Sequence, residues 1–346
     1  MKKYYSLEFL RFLSSISVLL YHYRHFYSPL NILSDEDYNF ENEYLPFSKF
    51  LNIVYEYGFY GVHIFYVISG FVFAHVYLRV REQTSFKEFS INRLSRLYPL
   101  HFATLIVVAL LQIMFLTNYG NFQFNYINDF YHFFLQVFFI SSWGFEAGNS
   151  FNGPIWSVSI EVGIYLIFFI FINLIKKYEL KFIVLINALL IFIDKSGINS
   201  LFIDCARLFF SGVLIYYLIL SKQNFIILLS ISLIILSLAF LGNFKTFLFC
   251  PGLILFFLSF ENYISGGKIK NYFITLGNWT YALYLLHVPV QLIIILILEK
   301  FFNFSDIFNN HLFFIFYFIL LFLLSHLIFN LYEKPLNKKF RKLFLK

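Results

Sequence analysis

The sequence predicts an all-α, polytopic transmembrane helix bundle of about ten spans, with both termini in the cytoplasm. Three observations carry that expectation. Apolar runs of about 20 residues recur along the chain, the length an α-helix needs to cross a bilayer. Only 13% of the 346 residues are charged and 60% are hydrophobic, with a mean hydropathy of +0.73, whereas a soluble domain carries about 25% charged residues. Lys and Arg also gather on alternate sides of those runs, nineteen against five, as the positive-inside rule requires. The composition excludes a water-soluble globule and a disordered chain. The net charge of +7 reads as an orientation signal, and no nucleic-acid partner is expected.

In chain order the candidate spans are 7–27, 52–78, 98–117, 156–175, 182–196, 201–220, 224–241, 244–260, 273–298 and 312–331. The first follows Lys2 and Lys3, carries Arg11 and lacks a small-residue cleavage site, so it reads as a retained span and not a signal peptide. The fifth is short and the eighth contains Pro251-Gly252. The stretch 130–143 is apolar but short, which suits a re-entrant or interfacial segment. The first outer loop, 28–51, holds Asp35, Glu36, Asp37, Glu41 and Glu43. The segment 118–155 is rich in amides and aromatics, among them Asn125, Asn128 and Trp143. Such groups suit hydrogen bonding and stacking to a glycan, and equally an interfacial aromatic belt. Cys205 and Cys250 lie inside apolar runs, at no spacing of a disulfide framework or zinc site, and no metal ligands are expected.

Ionisable groups inside spans are costly and default to function. They are Glu8, Arg11, His22, His63, Glu161, Asp204, Arg207, His287 and His326. Eleven helical steps separate Arg11 from His22, which puts both on one face, roughly 16 Å apart along the axis. A cation and, farther in, an imidazole would suit an anionic cytosolic donor reaching a buried base. Alternatively, Glu8 pairs with Arg11 at i,i+3 and His22 only satisfies a helix–helix hydrogen bond. Arg93 and Arg96 share a helix face and could fork onto phosphates, or serve as a topogenic basic loop against anionic lipid. Glu161 could orient an imidazole or accept a substrate hydroxyl, or merely favour a helix N-terminus. Asp204 and Arg207 read as a structural i,i+3 ion pair.

Six segments then fall in a recognisable order. They are Leu7-Glu8-Phe9-Leu10-Arg11-Phe12 with His22 eleven residues after the arginine, Gly61-Val62-His63-Ile64-Phe65-Tyr66-Val67-Ile68-Ser69-Gly70-Phe71, and Arg93-Leu94-Ser95-Arg96-Leu97-Tyr98-Pro99. Pro154-Ile155-Trp156-Ser157-Val158-Ser159-Ile160-Glu161, the stretch from Leu276 to Pro289 that includes Tyr281-Ala282-Leu283-Tyr284-Leu285-Leu286-His287, and Glu333-Lys334-Pro335-Leu336 complete the set. Together they resemble the acyltransferase family 3 of integral membrane acyltransferases, whose first-span signature is Arg-x10-His. Two positions depart from the family pattern: Glu8 and His63 stand where Asp is common.

The resemblance implies one transmembrane acyltransferase domain over 1–346, with no soluble C-terminal domain, in the plasma (inner) membrane. It implies transfer of an acyl group, usually acetyl from cytosolic acetyl-CoA, to a hydroxyl of an envelope glycan or lipid-linked sugar. On that basis His22 is the expected general base and Arg11 the guide or polariser of the donor. Arg93 and Arg96 are expected to hold CoA phosphates, and Glu161 to orient the base or acceptor. A carrier or flippase for lipid-linked sugars, without acyl chemistry, is the competing expectation.

Overall fold

The computed structural model describes residues 3–27, 44–79, 84–198, 200–220, 224–241, 245–301 and 305–345, and every regular element among them is helical. The helices are α1 Tyr5–Tyr21, α2 Ser48–Tyr57, α3 Tyr60–Phe73, α4 Phe86–Tyr119, α5 Phe130–Val137, α6 Ile155–Lys195 and α7 Leu201–Leu220. They continue as α8 Phe225–Leu241, α9 Lys245–Ser259, α10 Glu261–Ser265, α11 Ile269–Phe301, α12 Ser305–Phe308, α13 His311–Ile328 and α14 Lys334–Phe344. A 3-10 turn, His22–Tyr27, continues α1, and π-helical turns extend α3 over Ala74–Leu78 and join α13 to α14 over Phe329–Glu333. The acidic residues of the first outer loop, 35–43, lie outside the described residues.

The all-α expectation holds, but the count of ten spans does not. Among the described residues, six helical stretches are long and apolar enough to cross a membrane: Tyr60–Leu78, Phe86–Tyr119, Ile155–Lys195, Leu201–Leu220, Ile269–Leu298 and His311–Phe344. Apolar windows register composition, not continuity, and this is where the four extra spans came from. The candidates 156–175 and 182–196 are two limbs of α6, which runs 41 residues through a non-helical backbone at Glu179 (φ 48°). The first candidate stops being α-helical after 17 residues, about 25 Å of rise against a hydrocarbon core of about 30 Å. Likewise α8 and α9 have 17 and 15 residues. The nineteen-to-five division of Lys and Arg was counted over ten alternating segments and does not carry over to six, nor does the placement of both termini deduced from it.

The chain divides into two compact units. The first comprises Met1–Ser14, Tyr60–Ser85 and Ile160–Asn278. Its centre is the packing of α3 against α7, where backbones approach so closely that a Cβ on Gly70 would lie 1.8 Å from the Phe209 carbonyl oxygen and one on Gly212 2.0 Å from that of Val67. Small residues at helix crossings allow the van der Waals contact that replaces the hydrophobic effect between helices in lipid. Phe73, Phe168 and Phe209 fill the space around this crossing, all nearly fully buried. The start of α1 is capped from a distance. Glu261 accepts from the backbone N–H groups of Tyr5 (3.0 Å) and Ser6 (2.9 Å) and from the Ser6 hydroxyl (2.6 Å), placing a carboxylate at the positive end of the helix. Arg207 pairs not with Asp204 but with Asp194, at 2.7 Å, and lies over the Phe247 ring.

The second unit comprises Ser15–Phe59, Phe86–Ser159 and Trp279–Lys346. Its aromatic core brings Tyr23 and Phe26 against Phe308, Phe314 and Tyr317. The basic, amphipathic α14 packs on α4. Around Pro99, whose missing N–H weakens the local helix, the Tyr281 hydroxyl donates to the Leu97 carbonyl and that of Tyr332 to the Pro99 carbonyl. The segment after α4 is ordered by side-chain bonds. Gln112 and the backbone of Gln123 bond reciprocally (2.7 and 2.9 Å). The stretch read as re-entrant or interfacial holds only the eight-residue α5, capped by Asp129, whose carboxylate accepts from the His132 backbone N–H at 2.8 Å. That bond, and a second to the His132 ring, hold the Asp129 carboxyl below its ordinary pKa.

Candidate functional site

The second unit gathers imidazoles at the end of α1. His22 opens the 3-10 turn, and its Nδ1 lies 2.9 Å from Nε2 of His287 on α11. The two rings are within 10° of coplanar, with centroids 5.0 Å apart. That separation is close to the nitrogen–nitrogen distance plus one ring radius on each side, so the rings meet edge to edge along a hydrogen bond and do not overlap as a face-to-face stack. His25, one 3-10 turn on, stacks its ring against His22 at 4.8 Å, and Phe124 stacks on His25 at 4.7 Å. Phe124 sits at φ 67°, a region non-glycine residues rarely occupy. Gln291 holds the backbone of the same turn, its amide Nε2 donating to the His22 carbonyl at 2.8 Å. His287 and Gln291 are fully buried, whereas His22 is part-exposed.

The loop before α6 fastens the helix that carries His287. Pro289 has no N–H, so the Leu285 carbonyl four residues back loses its helical donor. Asn152 supplies one instead, its Nδ2 lying 3.2 Å from the Leu285 oxygen and 3.3 Å from the Thr104 hydroxyl. One residue earlier, Tyr284 bonds to the Ser157 hydroxyl (2.7 Å) and donates to the Pro154 carbonyl (3.0 Å). Two of the sequence segments, Pro154–Ser159 and Leu283–Pro289, therefore meet side by side.

The other expected residues are distributed as follows. Arg93 and Arg96 lie one turn apart on α4, ahead of Pro99, in the second unit. Arg11 is in the first unit, on α1, with Nη1 3.3 Å from Glu8 Oε2. Gly277 makes room for that carboxylate, since a Cβ there would lie 2.2 Å from Glu8 Oε2. Glu161, also in the first unit, accepts a bond from the Ser69 hydroxyl, which lies 3.4 Å from the Tyr165 hydroxyl. His63 packs among the rings of Tyr60 and Tyr66. His326 bonds to Asn330 on its own helix.

Sequence reasoning missed His25, Gln291 and Asn152, and named His287 only among the ionisable groups inside spans and in one of the six ordered segments. A signal was present for one of them. His287 and Gln291 are four residues apart and hence on one face of a helix. Nothing local announced Asn152, because the carbonyl it serves is orphaned by a proline 137 positions away.

Among the described residues, six helical stretches long and apolar enough to cross a membrane define a multi-pass α-helical membrane protein whose partner is the lipid bilayer. The particular kind follows from comparison with known proteins: the acyltransferase domain of the acyltransferase 3 family matches residues 4–330, and the chain belongs to that family. It is also similar to the peptidoglycan O-acetyltransferase OatA of Listeria monocytogenes serovar 1/2a, at 28% identity over 131 residues, covering 35% of this chain and 21% of that protein's length. No solved structure matches the chain.

Proposed function

We propose that this protein is an O-acyltransferase of the plasma (inner) membrane, moving an acyl group, acetyl in the first instance, from cytosolic acetyl-CoA to a hydroxyl of a cell-surface or lipid-linked glycan. The observation that carries the reading is a part-exposed His22 hydrogen-bonded to a buried His287, in a chain of an acyltransferase family. The Listeria relative is a peptidoglycan O-acetyltransferase by name, which supports the acceptor class.

In this reading His22 takes the acceptor's hydroxyl proton as general base while that oxygen attacks the thioester carbonyl. The new C–O bond forms, the C–S bond breaks, and CoA leaves as a thiolate that recovers the proton from the imidazolium. Arg11 guides the donor and polarises its carbonyl. Arg93 and Arg96 hold the CoA phosphates through charge-assisted bonds. Glu161, with the Ser69 hydroxyl already bonded to it, orients the acceptor. Cys205 and Cys250 are buried and no serine signature is present, so direct attack is favoured over an acyl-enzyme.

Radiolabelled acetyl-CoA supplied to inverted vesicles of the source organism tests the scheme. His22→Ala, present in normal amounts, should lose about 10²–10⁴-fold of the label reaching glycan. Full transfer would remove the base assignment, and no label from the unaltered protein would favour a carrier. Replacing Arg93 and Arg96 by Ala should raise the KM for acetyl-CoA by about tenfold per arginine. An unchanged KM takes them off the donor site.

A further inference from the structure

We propose that His287 is a positioning residue that sets the tautomer of His22, so that Nε2 of His22 is the atom that accepts the proton. The inference rests on the acyltransferase reading and goes one atom deeper. A neutral imidazole has one N–H and one lone pair, and the bond made by one nitrogen decides the state of the other. Nδ1 of His22 and Nε2 of His287 are 2.9 Å apart, so one of them carries the shared proton.

The far side of His287 decides which. The backbone carbonyls of Leu283 and Tyr284, one turn back on its own helix, act on the His287 ring, whose remaining nitrogen, Nδ1, is buried and closes no bond of ordinary geometry. Carbonyl oxygens only accept, so a lone pair on that nitrogen would face two others in a site sealed from water. The proton therefore sits on Nδ1 of His287, and its Nε2 is the acceptor. His22 must then carry its proton on Nδ1 and donate it, which leaves the lone pair of Nε2 for chemistry. When that lone pair takes the hydroxyl proton, the Nδ1–H bond to His287 remains and stabilises the imidazolium. His287 stays neutral throughout, and His22 returns the Nε2 proton to the departing thiolate.

Burial separates the two roles. His287 is 0% exposed and has no route to a substrate, while His22 is part-exposed. The remaining contacts fix the donor ring: Gln291 holds the His22 carbonyl and His25 lies along one ring face. A bond meant only to tie two helices together would not need a second imidazole along the ring face and an amide on the backbone of the same residue.

The test uses the full chain in vesicles of the source organism, with radiolabelled acetyl-CoA as probe and protein amount measured alongside. His287→Ala should lower kcat about 10²-fold with the KM for acetyl-CoA within about twofold. His287→Gln, whose amide oxygen can still accept from Nδ1 of His22, should recover at least about tenfold of that loss. Wild-type kcat in His287→Ala, no recovery in His287→Gln at normal amounts, or failure of both variants to accumulate overturns the positioning role. Where His287→Ala alone fails to accumulate, the kcat of His287→Gln carries the test: within about tenfold of wild type supports the assignment, a lower value overturns it. Full transfer by His22→Ala, or no transfer by the unaltered protein, instead overturns the acyltransferase reading beneath it.

Discussion

Arg11 and His22 stand eleven residues apart on one continuous helical stretch, yet they find their partners in opposite ways. Arg11 pairs with Glu8, three residues back on α1. His22 bonds to His287, 265 residues onward. The Arg11–Glu8 pair is part-exposed, with side chains 18% and 28% accessible, and such i,i+3 pairs contribute about 0.2–0.5 kcal/mol. The His22 contact is supported by a buried partner ring, a buried amide and a stacked imidazole. The local pair joins neighbours on one helix, while the long-range contact holds its imidazole against a second helix. A general base needs the fixed orientation that the second kind of contact provides.

Three measurements break or sharpen that contrast. The largest effect is expected at Arg11. Arg11→Ala should lower acyl transfer about 10²-fold, the scale of removing one donor to a developing oxyanion, while Glu8→Gln stays within about twofold because it removes only a weak pair. Equal losses in the two variants would make the arginine a structural partner of Glu8. The next effect is on stability. Glu261→Ala removes the acceptor shared by the Tyr5 and Ser6 amides and should cost about 0.5–2 kcal/mol, as a lost helix cap does. The thermal midpoint of detergent-solubilised protein reads this, and no shift would mean that water replaces the carboxylate.

The smallest effect concerns Asp129. Its carboxyl is held below the ordinary pKa by the His132 amide and ring. The cap therefore contributes fully above the ordinary carboxylate range of about 4 and is lost as pH falls through the lowered value. Hydrogen exchange across 130–137 should quicken relative to Asp129→Asn only at the acid end. Identical pH dependence in the two proteins would remove the cap from the account.

The same contrast explains what the sequence disclosed. The Glu8–Arg11 pair was legible because helical geometry fixes which neighbours meet at i,i+3. That rule failed one turn of thought later: Asp204 and Arg207 have the same spacing, yet Arg207 reaches Asp194 on another helix, since a buried cation takes whichever carboxylate the packing brings. The family was legible from six ordered segments, none of which needed a contact map. The number of long helices was not, because hydropathy registers apolar composition and not helix length: α1 is α-helical for 17 residues, and the described parts of α8 and α9 have 17 and 15. His22 was singled out by the resemblance, but its pairing with His287, the support from Gln291 and the loop contact of Asn152 join positions that no periodicity links.

The Asn152 contact changes how the loop before α6 should be regarded. A proline normally leaves a helix to repair itself with water or its own side chains, whereas here the repair comes from Asn152, fully buried although it lies in a connecting segment. Surface connections ordinarily tolerate added or deleted residues. This one has lost that tolerance, for a change of even one residue between α5 and α6 would pull the amide off the Leu285 oxygen and let the turn bearing His287 drift. Loop length at this point therefore bears on where the imidazole is held.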